Sequence, residues 1–123
     1  MQIKKLHIIS FGKLQNEQIS FKPGFNYYYG PNEAGKTTIR MFITYVLFGL
    51  KKDERNPYIS KHDGQLGGRL YLTIDGDEWV VERFLHRNSG KPVIYENGAE
   101  VTEAELQKAL KGLDRFLFES IFS

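Results

Sequence analysis

Apolar positions recur along this chain with two different periods. Ile3 to Phe11 alternates loosely, with Ile3, Leu6 and Ile8 to one side and Ile9 and Phe11 to the other, which predicts a strand. Gly12-Lys13 reads as a turn or bulge and Gln18 to Phe21 as a second short strand. Pro23-Gly24 then hands over to a third strand, Phe25 to Tyr29. From Ile39 the period becomes helical. Ile39, Phe42, Ile43, Val46, Leu47 and Leu50 predict a helix over 39–50 with a broad face against a sheet, stopped near Gly49.

Lys51 to Gln65 has no such period. Lys51, Lys52, Arg55, Lys61 and His62 stand among Asp53, Glu54 and Asp63, so the stretch reads as a solvated loop, with phosphate contact as the alternative. Alternation returns at Gly67 to Ile74, where Leu70, Leu72 and Ile74 face one way and Arg69, Tyr71 and Thr73 the other. Asp75-Gly76 is a hairpin signal and Glu78 to Leu85 the return strand. Pro92 to Tyr95, followed by Glu96-Asn97-Gly98, reads as another strand and tight turn. Residues 66–95 are therefore expected to form an antiparallel meander beside the opening sheet, with Trp79 packed on it. Thr102-Glu103-Ala104-Glu105 is a capping box opening a helix that stops near Gly112, and Asp114 is positioned to cap a second one through Phe118. The pattern predicts an α/β fold.

Composition narrows the class. A chain of 123 residues with 26% charged and 41% hydrophobic content is one ordinary globular domain. Lys and Arg number 17 against 15 Asp and Glu, a balance that neither demands nor excludes nucleic acid. The absence of cysteine removes disulfides and thiolate metal sites. Met1 to Ser10 lacks the apolar core of a signal peptide, and Met41 to Leu50 is too short to span a bilayer, so a cytoplasmic protein with no membrane partner is expected. The apolar end at Ile121-Phe122-Ser123 suggests an N-terminal fragment of a longer protein.

The chemistry concentrates at Gly30-Pro31-Asn32-Glu33-Ala34-Gly35-Lys36-Thr37-Thr38, which fits G-x-x-x-x-G-K-[ST], the Walker A phosphate loop. Gly30 and Gly35 let the backbone curl round a phosphate, and successive N–H groups with a helix N-terminus supply partial positive charge. Lys36, the catalytic candidate, sets a full charge against the β- and γ-phosphates, and the Thr37 hydroxyl is the expected Mg²⁺ ligand. Pro31 and Ala34 fill variable slots, Asn32 braces the loop, Thr38 reaches the α-phosphate, and Glu33 counts with them among the nucleotide-binding residues of the loop. ATP with Mg²⁺ is the expected ligand.

The hydrolytic half is missing. Asp75 and Asp77 fall in a hairpin turn, Asp114 and Glu119 on predicted helices, and none follows the apolar strand that a second, Mg²⁺-binding acid requires. His7, His62 and His86 are scattered, without metal-ligand spacing.

Phe11 to Leu14, Ile19 to Phe21, Gly24 to Asn26, the loop Gly30 to Thr38 and Leu47-Phe48-Gly49 together resemble the N-terminal lobe of SMC-like ATPase heads, the group of SbcC, RecN and RecF. Asn32 to Ala34 and Leu47 to Gly49 look closest to its YhaN-type, AAA-named branch; Gly67-Gly68, Glu82-Arg83 and Leu113 to Phe122 also fit. The resemblance implies an ABC-type P-loop NTPase lobe: a mixed sheet carrying the loop helix, the meander and C-terminal helices. It further implies that residues 1–123 are one lobe of a split head in a coiled-coil protein, acting in DNA repair, recombination or chromosome processing. Its partners would be the other half of the same head, a second head joined by ATP-dependent dimerisation, and DNA.

The acidic strand, signature motif and metal-contacting glutamine would lie outside this chain; neither Gln65 nor Gln107 has the right setting. This chain alone is expected to be inactive. Tyr27 and Tyr28 stand where the branch has aliphatic residues, and Gly12 where many heads carry a nucleotide-contacting basic residue, with Lys13 beside it as substitute. An ABC transporter subunit is the alternative; Glu33-Ala34 in the loop and the hairpin of Gly67 to Leu85 argue against it. From another class comes a non-catalytic interaction module with a degenerate site.

Overall fold

A computed structural model describes residues 1–21, 33–113 and 115. The expected third strand, Phe25 to Tyr29, lies outside the described residues, as does the helix expected from Asp114 apart from Arg115, which is helical. The strands described are β1 (Gln2–Phe11), β2 (Leu14–Ser20), β3 (Gly67–Ile74), β4 (Asp77–Phe84), β5 (Val93–Glu96) and β6 (Ala99–Val101). They form one sheet in the order β2-β1-β3-β4-β5-β6, and every pairing described is antiparallel. The meander is thus continuous with the opening hairpin rather than beside it: Leu6 faces Leu70, and Ile8 faces Gly68.

Local chemistry sets the hairpins. Phe11 pairs with Leu14 across the two-residue turn Gly12-Lys13, so β2 begins at Leu14 and not at Gln18. After Leu14 come Gln15, Asn16 and Glu17, polar and largely exposed, which hides the start of the strand from an alternation test. Asp75-Gly76 and Asn97-Gly98 both have positive φ at the two turn positions, the type I′ geometry that matches strand twist. The second of these turns launches β6, three residues with no alternation to betray them.

Phe11 does not face away from Leu6 and Ile8 as the alternation predicts. The β1–β3 register slips between Ile8 and Ser10, and such a bulge accommodates an extra residue and turns the strand. Phe11 is consequently fully buried, its ring 5.5 Å from that of Phe42 and stacked at 4.4 Å on Tyr58.

Helix α1 (Glu33–Phe48) crosses one face of the sheet, with Ile39, Phe42, Ile43, Val46 and Leu47 buried. Each such side chain is worth roughly 1.5–3 kcal/mol on burial, against about 1 kcal/mol for a glycine in a helix, so packing tolerates Gly35 in the first turn. The helix starts at Glu33 rather than Ile39, because the apolar period begins only where the helix meets the core. It ends at Phe48, with Gly49 at φ +81° as the stop. Close approach to the sheet depends on Gly68: a Cβ there would lie 2.4 Å from the His7 carbonyl oxygen and 2.7 Å from Phe42 Cζ.

Lys51 to Gln65 is more ordered than a solvated loop. It holds α2 (Lys52–Arg55), whose start is capped by Glu54 accepting from the Lys51 N–H at 3.0 Å, and a 3₁₀ turn over Asn56–Tyr58. Helix α3 (Glu103–Ala109) starts where the capping signal predicts, Thr102 Oγ1 accepting from the Glu105 N–H at 3.2 Å, and buries Leu106. Trp79 is buried in the core cluster, as its place in the meander predicts.

Arg83 joins these parts. It is buried on β4, donates from Nε to the Val46 carbonyl near the end of α1 (3.2 Å) and from Nη1 to the Gly90 carbonyl (3.0 Å). Nη2 lies 3.9 Å from the Glu103 carboxylate at the start of α3. Burial lowers the Arg83 pKa, an effect partly offset by Glu103.

Candidate functional site

Within the sequence pattern Gly30 to Thr38, residues Gly30, Pro31 and Asn32 lie outside the described residues. Glu33, Ala34, Gly35 and Lys36 form the first turn of α1, and Thr37 and Thr38 continue it. Amide groups that open a helix have no acceptor within it, and their aligned dipoles leave partial positive charge at that end. Gly35, Lys36 and Thr38 are half-buried, whereas Thr37 is exposed. Among the described residues no group of three or more His, Asp or Glu could hold a metal ion. No helix among them is long and apolar enough to cross a membrane.

The β1–β2 turn closes on this end of α1. Gly12 has φ +61°, donates its N–H to the Tyr58 carbonyl at 2.7 Å, and has Thr38 Cγ2 3.8 Å from where a Cβ would stand. Tyr58 Cδ1 would be 3.3 Å from that same Cβ, so both backbone and space favour glycine here. That accounts for Gly12 in a slot where the resemblance puts a basic residue; Lys13 beside it is exposed.

Tyr58 was not a sequence candidate. The signal was present: a lone aromatic after Pro57 in a polar stretch, which here stacks on Phe11 and holds the turn beside Thr38. Conversely, Asp75 and Asp77 sit at the far hairpin as expected, Asp75 in a 2.8 Å ion pair with Lys111. His7, half-buried on β1, has its pKa lowered by burial, then by Arg69 and Lys5. His86 Nε2 lies 3.2 Å from the Gly64 carbonyl oxygen, a structural contact away from α1's first turn.

The family model described as an AAA domain matches residues 1–123. The chain is 35% identical to the uncharacterized protein YhaN of Bacillus subtilis over all of its own length and 13% of that protein's. It is 28% identical to the DNA double-strand break repair Rad50 ATPase of Methanopyrus kandleri, covering 94% of this chain and 15% of that protein. Among solved structures, an SMC head bound to the C-winged helix domain of ScpA matches 94% of this chain and 42% of its own, with a TM-score of 0.63 and 24% identity. The fold is that of part of such a head, and the chain spans only about an eighth to a seventh of the curated relatives' length.

Proposed function

The chain belongs to the AAA-domain family over residues 1–123, and from that premise we propose that it binds Mg²⁺-ATP through Gly30 to Thr38 as one half of an SMC-like ATPase head working in DNA repair. The observation that carries this reading is the start of α1 at Glu33, inside the phosphate-loop pattern, which sets Lys36 and Thr37 at the N-terminal end of a helix anchored in the core.

The roles follow from the chemistry. Gly30 and Gly35 permit the loop to approach the phosphates, and the backbone amides through Gly35 donate to them. Lys36 neutralises charge at the β- and γ-phosphates, and Thr38 addresses the α-phosphate. The Thr37 hydroxyl would hold the Mg²⁺ that accompanies the triphosphate and neutralises part of its charge, an ion that favours few protein ligands. Water activation falls to acidic residues outside this chain and to a second head across the nucleotide; DNA is a partner of the assembled protein.

Calorimetric titration with Mg-ATP tests the reading. Lys36→Ala should weaken binding by about tenfold to a hundredfold, the worth of one charge-assisted hydrogen bond. Equal affinity for both proteins defeats the phosphate-loop assignment. Turnover should be absent in this chain alone; hydrolysis that vanishes with Lys36→Ala would overturn its role as half a site.

A further inference from the structure

Strand register sets five residues in one row on the face of the sheet opposite α1. Lys5 on β1 pairs with Tyr71 on β3, Tyr71 with Val80 on β4, Val80 with Tyr95 on β5, and Tyr95 with Glu100 on β6. Directly opposed residues share a face. The residues that alternate with them, Leu6, Leu70, Val81 and Ile94, are buried in the core with α1. Tyr71, Val80 and Tyr95 are only half-buried, an apolar strip at the surface.

Charge divides this face. At the β1–β3 end, Lys5 Nζ lies 4.6 Å from the centre of the Tyr71 ring, and the guanidiniums of Arg69 and Arg87 stand 5.7 and 4.2 Å from that of Phe84. Toward the other end, Glu78 and Glu82 flank Val80 on β4, and Glu100 closes the row. Arg69 lies 3.6 Å from Glu82. Lys5, Arg87, Glu78 and Glu100 make no ion pair among the described residues.

Spacing and charge together select the occupant. Neighbouring strands lie about 4.8 Å apart, so Tyr71, Val80 and Tyr95 recur at about that interval. Helical residues three or four apart are separated by about 4.5–6 Å along the axis, whereas same-face residues of an extended chain are about 6.6 Å apart. The row spans about 19 Å, the length of about 13 helical residues. Nucleic acid fits poorly, because its phosphates would cross Glu78, Glu82 and Glu100, and cations already stand over the Tyr71 and Phe84 rings where bases would stack. A second copy turned about a two-fold at Val80 would set Glu78 and Glu82 against their own counterparts.

We propose that this face docks an amphipathic helix of a partner protein, laid across the strands with one acidic and one basic end. Its apolar stripe rests on Tyr71, Val80 and Tyr95. Its carboxylates meet Lys5, Arg69 and Arg87, and its cations meet Glu78, Glu82 and Glu100. Docking here is independent of the nucleotide reading.

The probe is a synthetic helical peptide of about 14 residues, with glutamates at one end, leucines three and four apart in the middle and lysines at the other end. It should shift the amide resonances of Tyr71, Val80 and Tyr95 saturably, and bind more weakly as salt rises. Serines in place of the leucines should abolish binding. Lys5→Glu with Arg69→Glu should weaken the peptide about tenfold or more and turn the preference to a counterpart with lysines at both ends. A variant that failed to fold could not gain that preference. Glu100→Lys, at an exposed position on the three-residue β6, makes the complementary change and should favour a counterpart with glutamates at both ends. The proposal is overturned if the peptide leaves those resonances unmoved, or if neither variant changes the preference. It is also overturned if duplex DNA produces the same shifts, or if protein concentration alone does, which would mark a surface between copies.

Discussion

Glu54 and Arg115, 61 positions apart, meet in a two-pronged ion pair: Nη1 lies 2.8 Å from Oε1 and Nη2 2.5 Å from Oε2. The guanidinium and, after it, the Lys51 N–H hold the Glu54 carboxyl down from 4.5 to about 2. A carboxyl with a lowered pKa in the folded state binds its proton first in the unfolded chain, so stability rises with pH across that interval. The contribution is full above about pH 4.5 and is lost as pH falls toward about 2. Urea unfolding midpoints measured across that window should fall less steeply for Arg115→Gln than for the unaltered protein. Parallel slopes would show that the pair does not govern acid sensitivity. Both side chains are about a third exposed, so added salt should shrink the difference.

Gly68→Ala should be among the most costly small substitutions. The added methyl meets the His7 carbonyl oxygen and the Phe42 ring, and overpacking of this kind costs about 3 kcal/mol. Trimming Phe42 to leucine cannot relieve the backbone half of the clash, so Gly68→Ala/Phe42→Leu should be no more stable than Gly68→Ala. Chemical denaturation checks both; a Gly68→Ala loss below about 1 kcal/mol would mean that β1 and α1 yield more easily than their packing indicates.

Arg83→Lys retains the charge and loses the fork. A single ammonium cannot serve the Val46 and Gly90 carbonyls together, so one buried acceptor is left unpaired at a cost of about 1–3 kcal/mol. Hydrogen exchange should also quicken in the last turn of α1 and at the start of α3. A change within about 0.5 kcal/mol, with unaltered exchange, would remove Arg83 from its joining role.

What could be read from the letters divides along physical lines. The meander was legible because Leu70, Leu72 and Ile74 alternate and Asp75-Gly76 and Asn97-Gly98 carry their turn geometry in their own residues. The start of α3 was legible for the same reason, Thr102 and Glu105 being close neighbours. The face taken by Phe11 was not, since the slip between Ile8 and Ser10 is a property of the pairing with β3. Nor was the start of α1, whose first turn carries no apolar period. In the site, Lys36 and Thr37 announce themselves by motif, whereas Tyr58 earns its place only through Phe11 and Gly12, on a strand and a turn distant in sequence. Glu54 and Arg115 share no local signal at all.

The two ends of α1 are held by different kinds of contact. A helix of 16 residues is about 24 Å long, and this one has the β1–β2 turn beside Thr38 near its start and the forked guanidinium of Arg83 at its last turn. Packed side chains line the length between them and resist local bending. The Val46 carbonyl near the far end of α1 meets Arg83 Nε, and Arg83 Nη2 in turn lies 3.9 Å from Glu103 at the start of α3. The helix whose first turn carries Lys36 is, by construction, also the fold's transmission shaft.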